Sequence, residues 1–190
     1  MGALPTGDGA TLVGCYFPQS DFQRIKGDAF DAYLASFREL APDLHARVAE
    51  AGPVDRLYGT GDQQNFIRRA AGPGWALVGD AAHHKDSITA RGITEAYLQA
   101  QLLADTLADG VPRGAALDEA LERYAKAHHD LVVDVYNSTL FVADLEVKDE
   151  RLAMLRAVAD SSEMTELYFS MLSGACSADE FFNEEFLASF

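Results

Sequence analysis

The sequence predicts an α/β protein, more closely an α+β fragment, in which a mixed-sheet part precedes a helical half. Three observations predict this class. Residues 1–71 alternate short β-rich runs with one amphipathic helix, residues 75–80 form a continuous apolar run, and the chain after Pro112 has helical periodicity throughout. An apolar run without alternation is typical of a strand that is buried on both faces. The chain is therefore divided at residues 1–71, 72–112 and 113–190.

The first part is predicted to contain three strands and two helices. Residues 10–17, ATLVGCYF, are β-rich and lie between glycines and Pro18. Residues 28–40 carry Phe30, Tyr33, Leu34 and Phe37 at helical spacing. A second, short helix covers residues 43–51 and ends at Gly52-Pro53. Residues 54–60 and 64–70 are interpreted as two further strands, joined by a turn at Gly61-Asp62.

The rest of the chain is predicted to be one buried strand followed by helices. Residues 92–109 form a helix whose apolar side carries Ile93, Ala96, Tyr97, Ala100, Leu103 and Leu107, with Gly110 as its C-cap. A long helix follows Pro112, and residues 151–159 and 164–172 form two more amphipathic stretches. Ser177 and Glu180 make a capping box that starts a last helix carrying Phe181, Phe182, Phe186 and Leu187.

Composition limits the possible partners. The net charge of -15 argues against nucleic acid, because phosphate binding needs a basic face. No apolar run approaches the roughly 18 residues of a membrane span. The first residues lack the basic and apolar regions of a signal peptide, and the two cysteines, Cys15 and Cys176, form no metal or redox spacing. We therefore expect a cytoplasmic protein.

The residues that are best suited to bind a ligand lie between positions 72 and 107. Asp80 directly follows the predicted strand, where open α/β sheets place their ligands, and its carboxylate can accept hydrogen bonds from hydroxyl groups. The helix that begins near Gly92 offers unpaired N–H groups and a positive dipole end, which favour an anion. Gly92 has no Cβ, so a flat ring can approach the backbone closely.

This block resembles the second FAD fingerprint of flavoprotein hydroxylases. It is most similar to bacterial FAD-dependent monooxygenases and geranylgeranyl-reductase-like flavoproteins, whose motif is approximately G-D-A-x-x-x-x-D-P-x-T-A-x-G-I. The residues at matching places are Gly79, Asp80, Ala81, Asp86, Thr89, Ala90, Gly92 and Ile93. The resemblance extends over nearly the whole chain, with residues 1–71 similar to the substrate domain and residues 72–112 to the flavin-proximal part of the FAD domain.

The resemblance implies a cofactor and a role for each matching residue. Asp80, after Gly79, would hold the ribityl chain of FAD, and the amides of Gly92 and Ile93 would face the pyrimidine end of the isoalloxazine. Asp86 and Ser87 would form the turn beside the flavin. Proteins of this family use NAD(P)H to reduce the flavin and then hydroxylate, epoxidise or reduce a small organic substrate.

Two departures qualify this expectation. Ser87 replaces the family's proline, which should loosen the turn. No G-x-G-x-x-G turn follows a strand, so the ADP half of FAD has no binding motif here. The chain therefore has the character of the C-terminal half of a flavoprotein, with the ADP site on an N-terminal half or partner chain. The alternative is a non-catalytic flavoprotein fragment or subunit that needs such a partner to bind FAD.

Other polar residues are given structural roles. His83 and His84 are interpreted as loop residues near the flavin, Lys85 and Asp86 as residues that shape the loop, and Arg68 and Arg69 as solvated charges. His128-His129-Asp130 raises a remote alternative, a helical metal-dependent phosphohydrolase. Neighbouring helix residues point about 100° apart, so such a pair cannot both face one metal.

Overall fold

The computed structural model describes residues 1–108 and 110–187. Helices make up 60% of the chain and the strands are short and antiparallel, so the fold is mixed α+β. The chain divides into two compact units, Met1–Leu145 and Glu146–Phe190. The further division of the first unit into a substrate part and a flavin part stays a prediction.

The described residues of the first unit form three two-stranded antiparallel sheets. Strands β1 (Gly2–Pro5) and β2 (Thr11–Gly14) form a hairpin in which Ala3 pairs with Val13. The other two sheets pair β3 (Phe66–Ile67) with β6 (His83–His84), and β4 (Ala71–Gly72) with β5 (Trp75–Ala76). The β3–β6 pair connects the segment before the candidate site to the loop that contains it.

The α-helices described in the first unit are α1 (Phe22–Ile25), α2 (Ala29–Leu40), α3 (Pro42–Ala51), α4 (Gly92–Thr106) and α5 (Ala115–Ala143). Helix α3 starts with proline at its first position, where the missing N–H costs nothing, and it stops at Gly52, whose φ is 69°. The core under the candidate site joins Leu121 and Tyr124 of α5 to Ala70, Ala71 and Ala82. Residues 70–82 therefore pack against helix α5.

The second unit is a small helical cluster of α6 (Asp149–Ala159), α7 (Ser162–Ser173), α8 (Ala178–Phe181) and α9 (Glu184–Leu187). The predicted capping box is confirmed, since Ser177 Oγ accepts from the Glu180 N–H and Glu180 accepts from the Ser177 N–H. Val158, Phe181 and Phe186 are buried together. The last predicted helix is in fact two short ones, α8 and α9, so the prediction of one continuous helix was wrong.

All four predicted strands were wrong or too long, and the strand predicted at residues 10–17 covers only Thr11–Gly14. Residues 54–60 contain no strand, and of residues 64–70 only Phe66–Ile67 is a strand, pairing with β6 instead of with residues 54–60. The apolar run 75–80 is a strand only at Trp75–Ala76, and Trp75 and Val78 are 43% and 38% exposed. Burial on both faces requires elements packed over both faces of a sheet, and the exposure of Trp75 and Val78 shows that this run is not covered in that way.

The helix predicted at residues 92–109 is confirmed as α4, with a different end and a different buried face. It ends at Thr106, and Leu107 is the C-cap in place of Gly110, because Leu107 N–H already bonds to the Ala104 carbonyl. Residue 109 lies outside the described residues. Ile93 and Tyr97 are 78% and 75% exposed, while Glu95 and Gln99 are buried. The predicted apolar side is thus only partly the inner one, since α4 turns a polar pair inward.

Within the described residues, every helix is too short or too polar to cross a lipid bilayer.

Candidate functional site

The loop of residues 79–90 is held in place by residues 63–66. The Asn65 side chain accepts from the Asp86 N–H at 2.7 Å, and the Gln63 side chain accepts from the Ser87 N–H at 3.1 Å. Asp86 Oδ1 accepts from the Ile88 N–H at 2.9 Å, which caps the short 3₁₀ turn Ser87–Thr89. Ser87 therefore contributes a backbone hydrogen bond that a proline would lack, so the turn that its presence was expected to loosen is held by side chains from two segments.

Tyr124 and His128 of α5, together with Gln99 of α4, fix the residues that lead into this loop. The Tyr124 hydroxyl donates to the Leu77 carbonyl at 2.7 Å. Gln99 Oε1 accepts from the Gly79 N–H at 2.7 Å and from His128 Nε2 at 3.2 Å. Gly79 has a φ of 59°, a conformation that favours glycine. The direction in which the chain leaves Gly79 toward Asp80 is therefore set from α4 and α5 through buried hydrogen bonds.

A buried ionic cluster lies beside the loop. The Glu95 carboxylate lies 2.8 Å from Lys85 Nζ, 3.6 Å from His83 Nδ1 and 3.4 Å from Arg91 Nε. Burial lowers the pKa of His83 although the Glu95 charge opposes that shift. His83 is therefore neutral near pH 7, and its Nε2 has no hydrogen-bond partner among the described residues.

These elements enclose a cavity of about 390 Å³, which is in the range of small-molecule sites. Its lining includes the six residues selected from the sequence as cofactor contacts, which are Gly79, Asp80, Asp86, Ser87, Gly92 and Ile93, but not Ala81 or Thr89 of the same motif. His83, His84, Lys85, Glu95 and Gln99 line it too. The six residues come from the 3₁₀ turn Gly79–Ala81, the loop after it and the first turn of α4, and the fold brings them together.

Two features of the cavity leave its polar groups available to a ligand. Asp80 is exposed, and its carboxylate makes no hydrogen bond or ion pair with the described residues. In the part of the chain that the structure describes, no side-chain hydrogen bond caps the start of α4, and Gly92 and Ile93 border the cavity there. A Cβ at Gly92 would meet no atom within 4 Å, so the space over it is open. The cavity thus combines a hydrogen-bond-accepting carboxylate with an uncapped, electropositive helix start.

The other polar residues singled out in the sequence have separate places. The Arg68 guanidinium lies 4.2 Å from the centre of the Phe66 ring and donates to the Ala81 carbonyl at 3.3 Å, so it supports the loop from outside. Arg69 is exposed. The His84 ring stacks on Phe66 and its Nδ1 bonds to the Gln64 carbonyl. His84 is therefore tied to the backbone beside the cavity.

The His128-His129-Asp130 sequence does not form a metal site in the described part of the chain. His128 is buried against Tyr124 and hydrogen-bonded to Gln99, while His129 and Asp130 are exposed. Across residues 1–108 and 110–187, no three histidine, cysteine or acidic side chains are grouped as metal ligands would be. The adjacent pair diverges, as the 100° step of a helix requires.

Sequence reasoning missed the two polar residues that α4 turns inward. Glu95 and Gln99 are four positions apart, so they share one helix face, and this spacing is visible in the sequence. Assigning the apolar side of α4 to the core hid that signal. The pairing of Glu95 with Lys85 depends on the loop conformation and has no signature in the sequence.

His128 should make the first unit lose stability at acidic pH. Burial lowers the pKa of His128 from 6.5 to about 4, so the unfolded chain binds a proton there below pH 6.5 and the folded chain does not. The free energy of unfolding is therefore at its full value above pH 6.5 and decreases toward pH 4, by as much as about 3 kcal/mol. Urea unfolding followed by the fluorescence of Trp75, the single tryptophan, measures this.

The control for this pH dependence is a comparison of two variants. His128→Gln should flatten the dependence between pH 6.5 and 4, whereas His45→Gln on α3, which is not among the causes of the His128 shift, should leave it unchanged. If the free energy of unfolding depends on pH equally in His128→Gln and in the parent protein, the acid-induced loss of stability does not come from His128.

No protein-family model, no curated protein and no solved structure matches this chain. The assignment of a function therefore rests on the cavity and on the residues that line it.

Proposed function

We propose that the cavity binds the isoalloxazine and ribityl end of FAD, and that the chain is part of an FAD-dependent oxidoreductase of the monooxygenase or reductase type. One observation carries the proposal. The six residues selected from the sequence as cofactor contacts all line a single cavity, although they belong to separate turns and a helix.

The donor and acceptor groups of the cavity suit this end of the cofactor. The ribityl chain carries hydroxyl groups, and Asp80 offers a carboxylate that has no hydrogen-bond or ion-pair partner among the described residues. The pyrimidine end of the ring carries carbonyl groups, and the uncapped N–H groups at Gly92 and Ile93 can donate to them. Open space over Gly92 admits a flat ring. The residues present therefore fit the group.

In the reaction, this chain's own residues would bind and orient. Asp80 would hold the ribityl chain, the start of α4 would polarise the ring carbonyls, and Gln99 with Tyr124 would keep the Gly79 turn in position. Bound flavin would supply the redox chemistry, with NAD(P)H as reductant and a small organic molecule as substrate.

The ADP half of the cofactor needs a second binding element. The sequence has no G-x-G-x-x-G motif, and the proposal gives this chain the flavin end alone. An N-terminal half or partner chain would carry the ADP site. If the chain binds flavin but supports no turnover even with that partner, the non-catalytic subunit is the better description.

Riboflavin is the sharpest probe, because it contains the ring and ribityl chain without the ADP half. Titration should quench its fluorescence, and FAD should bind with similar affinity. Asp80→Ala should weaken both by about 1–3 kcal/mol, the cost of an unmet hydrogen-bond partner.

The matched control is Asp130→Ala on the exposed side of α5, which should leave binding unchanged. Absence of quenching by either flavin would contradict the proposal, and so would equal effects of the two substitutions.

A further inference from the structure

His83 carries a buried ring nitrogen that the protein leaves without a partner. Its side chain is 2% exposed, and its Nε2 makes no hydrogen bond in the part of the chain that the structure describes. A buried polar atom without a partner costs free energy, which a ligand with a complementary group can recover. Position 83 is one of the unspecified positions of the fingerprint, so the resemblance assigns no ligand contact to it.

The neighbours of His83 make Nε2 a hydrogen-bond acceptor. Nδ1 lies 3.6 Å from the Glu95 carboxylate, which can only accept, so we assign the imidazole proton to Nδ1. Burial is the main cause that lowers the pKa of His83, and the Glu95 charge opposes it. Lys85 and His84 lower that pKa too, whereas Asp80 raises it. The ring is therefore neutral near pH 7, with a lone pair on Nε2.

The His83 ring lies at the end of the cavity where α4 begins. Glu95 follows Gly92 by three residues, and helix side chains lean toward the N-terminus, so the Glu95 carboxylate lies beside the first turn of α4. His83 faces that carboxylate and lines the same cavity as Gly92. Its ring also meets the Tyr136 ring of α5 edge to face, with the ring centres 5.7 Å apart. The unpaired nitrogen thus belongs to the cavity end that is proposed to hold the pyrimidine edge of flavin.

We propose that His83 Nε2 accepts a hydrogen bond from the flavin N3–H, the group between the two ring carbonyls, an inference that rests on the proposed flavin site. This edge of the ring alternates acceptor, donor and acceptor. The N–H groups at the start of α4 can donate to a carbonyl, and His83 supplies the acceptor that those groups lack. The cavity therefore selects a planar ring with an imide edge, because a ring without the N–H leaves a buried acceptor unpaired.

The test compares riboflavin with 3-methylriboflavin, which differs by one methyl group on N3. Dissociation constants are measured by fluorescence quenching near pH 7, where His83 is neutral. The parent protein should bind riboflavin about tenfold more tightly than the methylated ring. His83→Phe keeps a flat ring in the cavity wall but offers no acceptor, so it should reduce that preference to less than about twofold.

Two further variants separate the acceptor from the shape of the side chain. His83→Gln keeps an acceptor oxygen and should keep the preference, and His129→Phe removes an exposed histidine from α5 and should keep it as well. Circular dichroism establishes that each variant is folded. If His83→Phe does not fold, NMR of isotope-labelled riboflavin and parent protein decides, because the hydrogen bond should give a spin coupling between N3 and a histidine ring nitrogen.

Each result has a distinct meaning. A preference that is lost in His83→Phe and kept in the other two variants supports the inference, as does the spin coupling. Equal affinity of the parent protein for both rings, an unchanged preference in His83→Phe, a preference also lost in His83→Gln, or absence of the coupling overturns it while leaving the flavin site intact. Absence of binding by both rings overturns the flavin site itself and this inference with it.

Discussion

Replacing Glu95 with alanine should destabilise the first unit by about 3–5 kcal/mol, because it removes the partner of a buried cation. The Glu95 side chain is 6% exposed and lies 2.8 Å from Lys85 Nζ, whose side chain is 4% exposed. Without Glu95, the Lys85 charge has no carboxylate within 4.0 Å in the described residues. Urea unfolding monitored by Trp75 fluorescence measures the loss.

The control for Glu95→Ala is Glu122→Ala, which removes an exposed carboxylate from α5 and should change stability by less than about 0.5 kcal/mol. The double variant Glu95→Leu with Lys85→Met should recover most of the loss, because it replaces both charges with apolar side chains. If Glu95→Ala is as mild as Glu122→Ala, the cluster is not desolvated in solution. If the double variant is no better than Glu95→Ala, the loss comes from packing instead of charge.

Helix positions were predictable from the sequence because helices are local. The repeat of Phe30, Tyr33, Leu34 and Phe37 places α2, and the Ser177–Glu180 capping box places α8, in each case by contacts within a few residues. The residues selected as cofactor contacts line one cavity for a related reason, since they all lie between Gly79 and Ile93 in the chain. That they hold a cofactor stays a prediction.

The strands were less predictable because a strand depends on its neighbours. The run from Trp75 to Asp80 has the composition of a buried strand, but composition does not say which segment pairs with it. In the structure only two of its residues pair, with Ala71 and Gly72, and Trp75 remains 43% exposed. The Lys85–Glu95 pair was unpredictable for the same reason, since it joins a loop to a helix through tertiary folding.

Replacing Tyr124 with alanine should cost about 3–5 kcal/mol, the usual loss for a fully buried aromatic side chain. Tyr124 is 0% exposed, and its ring lies in the core that supports residues 70–82. Burial raises the pKa of its hydroxyl to about 12, so the group remains a hydrogen-bond donor across the working range of pH. That hydroxyl donates to the Leu77 carbonyl at 2.7 Å, two residues before Gly79.

Tyr124→Phe separates the contribution of the hydroxyl to stability from that of the ring, and Tyr97→Ala is the control. Tyr124→Phe keeps the ring and removes the hydroxyl, so it should cost about 1–2 kcal/mol from the Leu77 carbonyl left without its donor. Tyr97→Ala removes a tyrosine that is 75% exposed on α4 and should change stability by less than about 0.5 kcal/mol. Because Leu77 leads into the Gly79 turn, Tyr124→Phe should also weaken riboflavin binding, whereas an apolar core role alone would leave binding unchanged. Equal stability of Tyr124→Phe and the parent protein would show that α5 supports the site by packing and not by this hydrogen bond.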